Sequence, residues 1–280
     1  MNILVSGAGG YLGHQLVESL QTNGHRVIRV NRKTLSAPTA DVISADCIWY
    51  RKDIDLPIDA VIHCATCYGR NGETDTEIAN VNVLYGLALL EFAVHNRVPA
   101  FLNIGTSLPP DVSTYAFTKN QFREWGKFYA ARQKIDFIHL ELEHFYGPDE
   151  NPEQKFIAMV IHELLQNKAE LCLTAGEQIR DFIHVIDAVR AILTVIRYLD
   201  ECHGYRVIPV GSGNGYQLKE VVQLIHRLSG SRTELRFGAL QYRPNELMYS
   251  YADISVLKKW GWNPEITLED GLLQIIKEQE

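Results

Sequence analysis

The sequence is short of cysteine and of net positive charge, and each shortage excludes a class of protein. Its 280 residues include five cysteines, an odd number at irregular spacing, so a disulfide framework is not expected. With 27 basic and 34 acidic residues the net charge is −7, which argues against a nucleic-acid-binding surface. No apolar run approaches the length of a membrane span, and a strand beginning at residue 2 would leave no room for a signal peptide. We therefore expect a cytoplasmic protein with neither a membrane nor a nucleic-acid partner.

Two motifs that would indicate redox or metal chemistry are incomplete. Cys64 and Cys67 are spaced as C-x-x-C, but they follow an apolar strand instead of opening a helix. Reduced thiols near a pocket are the simpler interpretation. His162 and Glu163 match the start of the H-E-x-x-H motif of a zinc-protease helix, but Gln166 occupies the position of the second histidine. We predict no metal site.

A glycine-rich turn lies between a strand and a helix near the start of the chain. The run at 2–6 is apolar and of strand length, and leucines at 12, 16 and 20 recur as on the buried face of a helix. Such a unit places a pyrophosphate on backbone N–H groups at the helix N-terminus, and glycines let the backbone approach it. The spacing is G-x-x-G-x-x-G. We predict that a dinucleotide is bound by Gly7, Gly10, Tyr11, Leu12 and Gly13.

The alternation of strands and helices after this turn predicts the fold class. Strands are expected at 25–30, 41–46, 59–65, 99–105 and 136–142, and long helices at 78–96 and 115–133. Strands that are apolar throughout are typical of a parallel sheet buried on both faces. We therefore predict an α/β fold, a Rossmann-like doubly wound parallel sheet with a smaller C-terminal lobe. The dinucleotide-binding domain is expected over 1–150, with 178–212 returning to it, and the lobe over 151–177 and 213–280.

The residues after the second strand favour NADP over NAD. An acidic residue there would bind the 2′-hydroxyl of the adenosine ribose, but the chain has Asn31, Arg32 and Lys33. A cationic pair attracts a 2′-phosphate instead, although a solvated basic turn is an alternative interpretation. Asp46, at the end of the third predicted strand, is either an acceptor for the adenine amino group or a turn residue. Ala65, at the end of the fourth strand, is a further predicted cofactor contact.

Tyr115 and Lys119 form the second informative motif. Residues four apart on a helix lie on one face, so the phenol and the ammonium group are expected to share a site. A fixed cation favours phenolate and should lower the tyrosine pKa from its usual value of about 10. Such a tyrosine exchanges a proton with an alcohol or ketone near neutral pH. Thr106 follows the preceding strand and is expected to orient the reacting oxygen, with Ser107 as the alternative.

In this order, the motifs resemble the extended short-chain dehydrogenase/reductases that act on nucleotide sugars. The resemblance covers essentially the whole chain, and Asn82 fits the helix asparagine of that family. Other segments that match its patterns are 144–148, 178–187, 243–246, 252–254 and 261–264. Within the family, the segments similar to the CDP-paratose and CDP-abequose synthase group are 67–70, 105–110, 142–147 and 245–250.

The resemblance implies that NADPH reduces the C4 ketone of a nucleotide-linked 4-keto-deoxyhexose, as in O-antigen sugar synthesis for bacterial lipopolysaccharide. It implies catalysis by Thr106, Tyr115 and Lys119, with Tyr115 and Lys119 also contacting the cofactor and Lys119 holding its nicotinamide ribose. It further implies a homodimer formed through the helices at 78–96 and 115–133. The resemblance also implies that the C-terminal lobe binds the nucleotide sugar. The implied substrate-binding residues are Tyr68, Arg70, Ser107, His144, Arg180 and Arg243. The last two arginines are candidates for the substrate diphosphate, with structural ion pairs as the alternative. Dehydratase activity is not expected, because Ser107 and Leu108 replace the acid–base pair that elimination needs.

Three other functions stay open at this stage. A 4-epimerase of the same fold would retain NAD and would oxidise and re-reduce one carbon. A reductase of a dTDP-4-keto-6-deoxyhexose would use the same residues, because spacing does not reveal the nucleotide, the deoxy pattern or the configuration formed at C4. A nucleotide-sensing regulator that does no chemistry would be expected to lose the tyrosine–lysine pair, and both residues are present.

Overall fold

The structure is a computed structural model that describes residues 1–31, 41–54, 56–151 and 155–279. Strands β1 to β13 are Asn2–Ser6, Arg26–Asn31, Val42–Ser44, Ala60–His63, Ala100–Ile104, Asp136–Leu142, His144–Tyr146, Glu170–Leu173, Ile179–Arg180, Phe182–His184, Tyr205–Val210, Tyr216–Gln217 and Glu234–Phe237. Helices α1 to α10 are Tyr11–Thr22, Ala45–Trp49, Asp75–Ala79, Gly86–His95, Thr114–Ala131, Phe156–Leu165, Val185–Arg197, Leu218–Ser229, Ser255–Lys259 and Leu268–Gln279. A π-helical segment, Asn80–Tyr85, joins α3 to α4, and Leu199–Glu201 forms a single 3₁₀ turn.

The predicted doubly wound parallel sheet is confirmed. Seven parallel strands lie in the order β11-β6-β5-β4-β1-β2-β3. After β3 the chain returns to the other side of β1, where β4 pairs with it, so the strand order reverses beside β1. Ligands of such sheets bind beyond the carboxyl ends of the strands at this reversal. The glycine-rich turn follows β1 and therefore lies where a ligand is expected.

The middle of the sheet is apolar because both of its faces are covered. Every residue of β4 and β5 is buried. Phe101 and Phe137 stack on neighbouring strands with ring centroids 5.4 Å apart, and Phe122 of α5 meets Phe101 edge-on at 6.0 Å. Aromatic rings gain most when they pack offset or edge to face. These contacts hold α5, the helix that carries Tyr115, against the sheet.

The long helices begin where their caps are, slightly before the predicted positions. The helical stretch predicted at 78–96 starts at Asp75, because Thr74 and Glu77 form a reciprocal capping box. The Ser113 hydroxyl accepts a hydrogen bond from the backbone N–H of Ala116 at 3.2 Å, and α5 follows from Thr114.

The third predicted strand is shorter than expected. The strand β3 ends at Ser44, and Asp46 lies in the first turn of α2 instead of ending the strand. The sequence of 41–46 does not show this change, because a short amphipathic helix and a strand end have similar composition. A carboxylate is favourable in that turn, since the N-terminal end of a helix carries a partial positive charge.

The chain divides into two compact units. The first contains Met1–Glu141 and Ile192–Ile208, and the second contains Leu142–Ala191 and Pro209–Glu280. The sequence places the first boundary at 150 and the returning segment at 178–212. The observed segment is shorter because β10 pairs with β7, and β9 with β12, inside the second unit. The buried core of the second unit includes Tyr146, Ile161, Leu164, Val222, Ile225 and Leu272.

One helical stretch passes the length and composition test for a membrane span, although the sequence was expected to contain none. Asp75–His95 has 21 residues and a mean hydropathy of 1.4 over its most apolar window, of which 44% is buried. Leu89, Leu90 and Phe92 belong to the core cluster of the first unit. Packing inside the protein therefore accounts for part of its apolar character.

Candidate active site

The glycine-rich turn connects β1 to α1 through close backbone contacts. Gly7 has a positive φ of 73°, and a Cβ there would overlap the backbone of Ala65. A Cβ on Gly13 would overlap the carbonyl of Gly7, whose oxygen accepts a hydrogen bond from Gly10 N–H at 2.9 Å. The first N–H groups of a helix have no partner within the helix and can bind an anion. The turn, α1 and Ala65 thus form a backbone cradle that fits the phosphates of a dinucleotide.

The predicted ribose-binding residues are only partly described. Asn31 ends β2, and Arg32 and Lys33 lie outside the described residues. Asp46 lies in α2, beside the carboxyl end of β3. The preference for NADP consequently stays a prediction.

Thr106 and Tyr115 are brought together as the motif order predicts. The Thr106 side chain is buried and lies close enough to the Tyr115 phenol to lower its pKa, and its oxygen accepts from Leu108 N–H at 3.3 Å. Tyr115 is half-buried in the first turn of α5, and Lys119 is buried one turn later on the same face. Ser107 is half-buried next to Thr106. The arrangement presents two hydroxyl groups and one buried cation on neighbouring elements.

Burial shifts the pKa values of both the tyrosine and the lysine in this site. Burial raises the pKa of Tyr115, as does Tyr68, while the Thr106 hydrogen bond and the Arg70 guanidinium lower it by less. The direction is opposite to that predicted from the tyrosine–lysine spacing, because loss of solvent outweighs the attraction of the cation that lowers this pKa, which is Arg70 and not Lys119. Burial lowers the pKa of Lys119 to about 8, with a smaller opposing effect from Cys64. A raised phenol pKa keeps Tyr115 protonated, which is the form that a proton donor requires.

Tyr68 and Arg70 extend the cluster. The Tyr68 and Tyr115 rings lie with centroids 4.9 Å apart, tilted by 33°, and the Arg70 guanidinium carbon lies 5.6 Å from the Tyr68 ring centre. Gly69 between them has a positive φ of 69° and leaves space for Ile78, which a Cβ would overlap. The loop is thereby shaped so that Tyr68 covers the tyrosine of α5.

Asn82 anchors this loop, a role that its match to the family pattern did not specify. It is 1% exposed, its Oδ1 accepts from Cys67 N–H at 2.8 Å, and its Nδ2 donates to Cys67 O at 2.9 Å. The same Nδ2 donates to the Thr118 hydroxyl on α5 at 3.0 Å. The sequence signal available for this anchoring role was an asparagine within an apolar helix. Its position in a π-helical segment fits the frequent use of such segments at functional sites.

Replacing Asn82 by alanine is expected to loosen the Cys67–Tyr68 loop. We expect the free energy of unfolding to fall by about 1–3 kcal/mol for each buried group left without a partner. Chemical denaturation of Asn82→Ala should show the loss, and Asn80→Ala, an exposed site in the same segment, is the matched control. Equal midpoints for the two variants would contradict the anchoring role.

In the second unit, Arg180 is held in an ion pair. Its side chain is 7% exposed, and Nη2 donates to Glu246 Oε1 at 2.9 Å. It also donates to the carbonyl oxygens of Ile179 and Leu247. Burial lowers its pKa, while Glu246 and then Glu143 oppose the shift. These contacts match the structural ion pair that the sequence left as the alternative to diphosphate binding.

The other two predicted residues of the second unit are more accessible. His144 is half-buried, with Nδ1 3.7 Å from Glu143 Oε2, and Arg243 is exposed. Whether His144, Arg180 and Arg243 meet the same substrate as Tyr115 stays a prediction. Within the described part of the chain, no cluster of three or more His, Cys, Asp or Glu side chains forms a metal site.

Comparison with known proteins gives a consistent result. The model of the NAD dependent epimerase/dehydratase family matches residues 3–211. CDP-abequose synthase of Salmonella typhimurium is 34% identical over 98% of this chain and 97% of its own length. A putative UDP-glucose 4-epimerase of Methanocaldococcus jannaschii is 26% identical over 98% and 97%. The solved structure of MoeE5 with UDP-glucose and NAD is 26% identical, covers 100% of this chain and 98% of its own, and has a TM-score of 0.82.

Proposed function

Because the chain belongs to the NAD dependent epimerase/dehydratase family, whose members are extended short-chain dehydrogenase/reductases, we propose that it reduces the C4 ketone of a nucleotide-linked 4-keto-deoxyhexose. The observation that carries this proposal is the close Thr106–Tyr115 pair, whose phenol stays protonated one helical turn before the buried Lys119. The near full-length similarity to CDP-abequose synthase supports a CDP-linked sugar of the O-antigen type. Free cysteines and a nucleotide-sugar substrate are consistent with a cytoplasmic location.

The residues present fit a dinucleotide. Gly7 and Gly13 keep the phosphate cradle open, since a Cβ on either would overlap backbone. Bound at this cradle, a reduced nicotinamide cofactor would supply the hydride. We propose NADPH, because Asn31, Arg32 and Lys33 provide no acidic partner for a 2′-hydroxyl. MoeE5 was solved in complex with NAD, so both cofactors belong in the assay.

The protein's own part in the reaction is to bind the ketone oxygen and supply its proton. Thr106 and Tyr115 offer two hydroxyl groups to that oxygen, and Tyr115 transfers its proton as negative charge develops there. The carbonyl thereby becomes a hydroxyl and the tyrosine a phenolate. The Lys119 cation stabilises this phenolate, and Tyr68 covers the Tyr115 ring, which limits access of water.

The proposal is tested by supplying CDP- and dTDP-linked 4-keto sugars with NADPH or NADH and following loss of the reduced cofactor. NMR of the product gives the configuration at C4. We expect the highest kcat/KM with NADPH and a CDP-linked 4-keto-3,6-dideoxyhexose. Failure to oxidise either cofactor with any 4-keto sugar nucleotide would refute the reductase.

A 4-epimerase is the second candidate, favoured by the similarity to the M. jannaschii protein. An epimerase regenerates its cofactor in each cycle, so the purified protein would contain tightly bound NAD⁺ and would not consume NADPH. Extraction of the cofactor from the purified protein, followed by chromatography, separates the two functions.

Arg243 is the better candidate of the two arginines for the substrate diphosphate. It is exposed, whereas Arg180 already pairs with Glu246. We expect Arg243→Gln to raise the KM for the sugar nucleotide by about tenfold with little change in kcat, as loss of uniform binding does. Arg236→Gln, which removes an exposed guanidinium in the same unit, is the control. An unchanged KM in Arg243→Gln would remove Arg243 from the substrate site.

We propose a homodimer formed through α5 and the helical stretch at 75–95. Phe117, Trp125 and Phe128 lie on one side of α5 and are 51%, 39% and 45% exposed, and Leu84 is 49% exposed. Exposed apolar groups of this size mark association surfaces.

We expect the wild-type protein to sediment as a dimer and Trp125→Glu as a monomer. Tyr50→Glu, at a tyrosine that is 74% exposed outside these helices, should stay dimeric. A monomeric wild type would exclude this interface.

A further inference from the structure

A row of four buried polar side chains crosses the middle of the sheet. Ser6, His63, Asn103 and His139 lie in register on the adjacent strands β1, β4, β5 and β6, and none is more than 1% exposed. Ser6 Oγ lies 2.7 Å from His63 Nδ1, and Asn103 Nδ2 lies 2.9 Å from His139 Nδ1. Burying polar groups is unfavourable compared with the apolar residues around them. The row therefore calls for an explanation other than stability.

The His139 ring supports the turn that carries Thr106. A Cβ on Gly105 would overlap the ring at Cε1 and Nε2, and its distance to Nδ1 would be only 3.0 Å. Gly105 is not among the glycines with positive φ, so its backbone conformation does not require glycine. The absence of a side chain is explained by the ring, which rests directly on the backbone before Thr106. Gly105 N–H also donates to Leu140 O at 2.8 Å, so the turn is held next to the strand of His139.

Asn103 fixes how that ring is turned. Burial lowers the pKa of His139 to about 3, with help from Arg123 and Lys119, so the imidazole is neutral at physiological pH. A neutral ring has one donor and one acceptor nitrogen. The Asn103 amide N–H donates to Nδ1, which leaves the ring proton on Nε2, the nitrogen facing Gly105. Within the described residues Asn103 Oδ1 has no hydrogen-bond partner, so the contact with His139 Nδ1 is the side-chain hydrogen bond that the structure gives this amide.

We infer that Asn103 and His139 are positioning residues that hold the Gly105–Thr106 backbone and thereby aim the Thr106 hydroxyl at Tyr115. The position of the Thr106 hydroxyl in the proposed reaction then depends on two supporting side chains, Asn103 on β5 and His139 on β6. Such a support is valuable because a displacement of about 1 Å can reduce turnover about 100-fold. The kinetic test below rests on the proposed function, and the crystallographic test does not.

The kinetic test is a double-mutant cycle between Asn103→Leu and Thr106→Val. If Asn103 acts through Thr106, we expect Asn103→Leu to lower kcat by about 10- to 100-fold in the wild type but by less than about twofold in the Thr106→Val background. KM should change little in either case. Ile138→Ala is the control, because Ile138 is fully buried next to His139 but points to the opposite face of β6. It should lose stability without loss of kcat. Additive effects of the two substitutions would overturn the inference.

The second test does not need turnover. In a crystal structure of Asn103→Leu, the Thr106 hydroxyl should move out of hydrogen-bond distance of the Tyr115 phenol. Asn103→Ser, which is too short to reach the ring, is the second variant if the leucine variant does not fold. A Thr106 hydroxyl in its wild-type position in these variants would overturn the inference, even if the protein acts on a different sugar. Absence of ketone reduction in the wild type would instead refute the proposed function.

Discussion

The Tyr115→Phe variant is expected to lose about 100- to 10,000-fold in kcat, the contribution usual for a positioned proton donor. The substitution removes only the hydroxyl that pairs with Thr106. The phenylalanine ring can keep the tilted contact with Tyr68, whose centroid lies 4.9 Å away, so the loop and α5 should stay in place. Loss of NADPH absorbance under saturating sugar nucleotide measures kcat, and quenching of protein fluorescence measures NADPH affinity. We expect NADPH affinity close to that of the wild type.

The matched control is Tyr129→Phe, which removes a phenol from the same helix. Tyr129 is bonded to Glu91 at 3.5 Å on a part of α5 that does not contact Thr106. Its kcat should stay within about twofold of the wild type, because Tyr129 follows Tyr115 by 14 positions on α5, roughly 21 Å along the helix axis. Near-normal turnover by Tyr115→Phe, or an equal loss in both variants, would show that the reacting proton comes from another group.

Most of the fold is predictable from the sequence because burial leaves a periodic signal. The strands at 59–65 and 99–105 are apolar throughout, as strands covered on both faces must be, and the glycine turn marks the first βα connection. Order along a parallel sheet then brings the carboxyl ends of these strands together. The meeting of Thr106 with Tyr115 follows from this, and it is seen in the structure.

The polar contacts of the site are less predictable, because periodicity does not reveal which polar groups meet. Arg180 and Glu246 are 66 positions apart in the chain, and nothing in the sequence pairs them. Asp181, inside the same matched segment, accepts hydrogen bonds from the backbone of Ser212, Gly213 and Ala252. The segment at 178–187 therefore holds loops together, which its family resemblance alone did not indicate. The predicted direction of the Tyr115 pKa shift is also wrong, because the spacing indicates a nearby cation but not the loss of solvent.

Lys119 is expected to set an alkaline limit to turnover. Burial lowers its pKa to about 8, so a rise in pH through that value removes the cation that stabilises the Tyr115 phenolate. We expect kcat/KM to fall about tenfold for each pH unit above this limit, as loss of one essential proton requires. Lys119→Arg should move the limit upward, because a guanidinium stays protonated to a pH above about 12. Lys119→Met should lose the limit together with about 100-fold or more of kcat.

Loss of the Lys119 proton is expected to raise stability while it lowers turnover. A stability measurement therefore distinguishes loss of this charge from unfolding. Between pH 8 and pH 10.5 the unfolded chain holds a proton on Lys119 that the folded protein has released. Stability rises with pH wherever the unfolded state binds more protons, so this lysine adds to the free energy of unfolding across the window. Over about 2.5 pH units the contribution is about 3 kcal/mol at most. Burial also raises the pKa of Cys64 from 9.0 to about 12, which acts in the reverse direction from pH 9 upward, within part of this window. The difference in unfolding free energy between the wild type and Lys119→Met isolates the contribution of the lysine, because the contributions of the other titrating groups largely cancel.

We expect this difference in unfolding free energy to shift in favour of the wild type from pH 8 to pH 10 while the kcat/KM of the wild type falls. A parallel fall of stability and activity would mean that the alkaline limit reports unfolding.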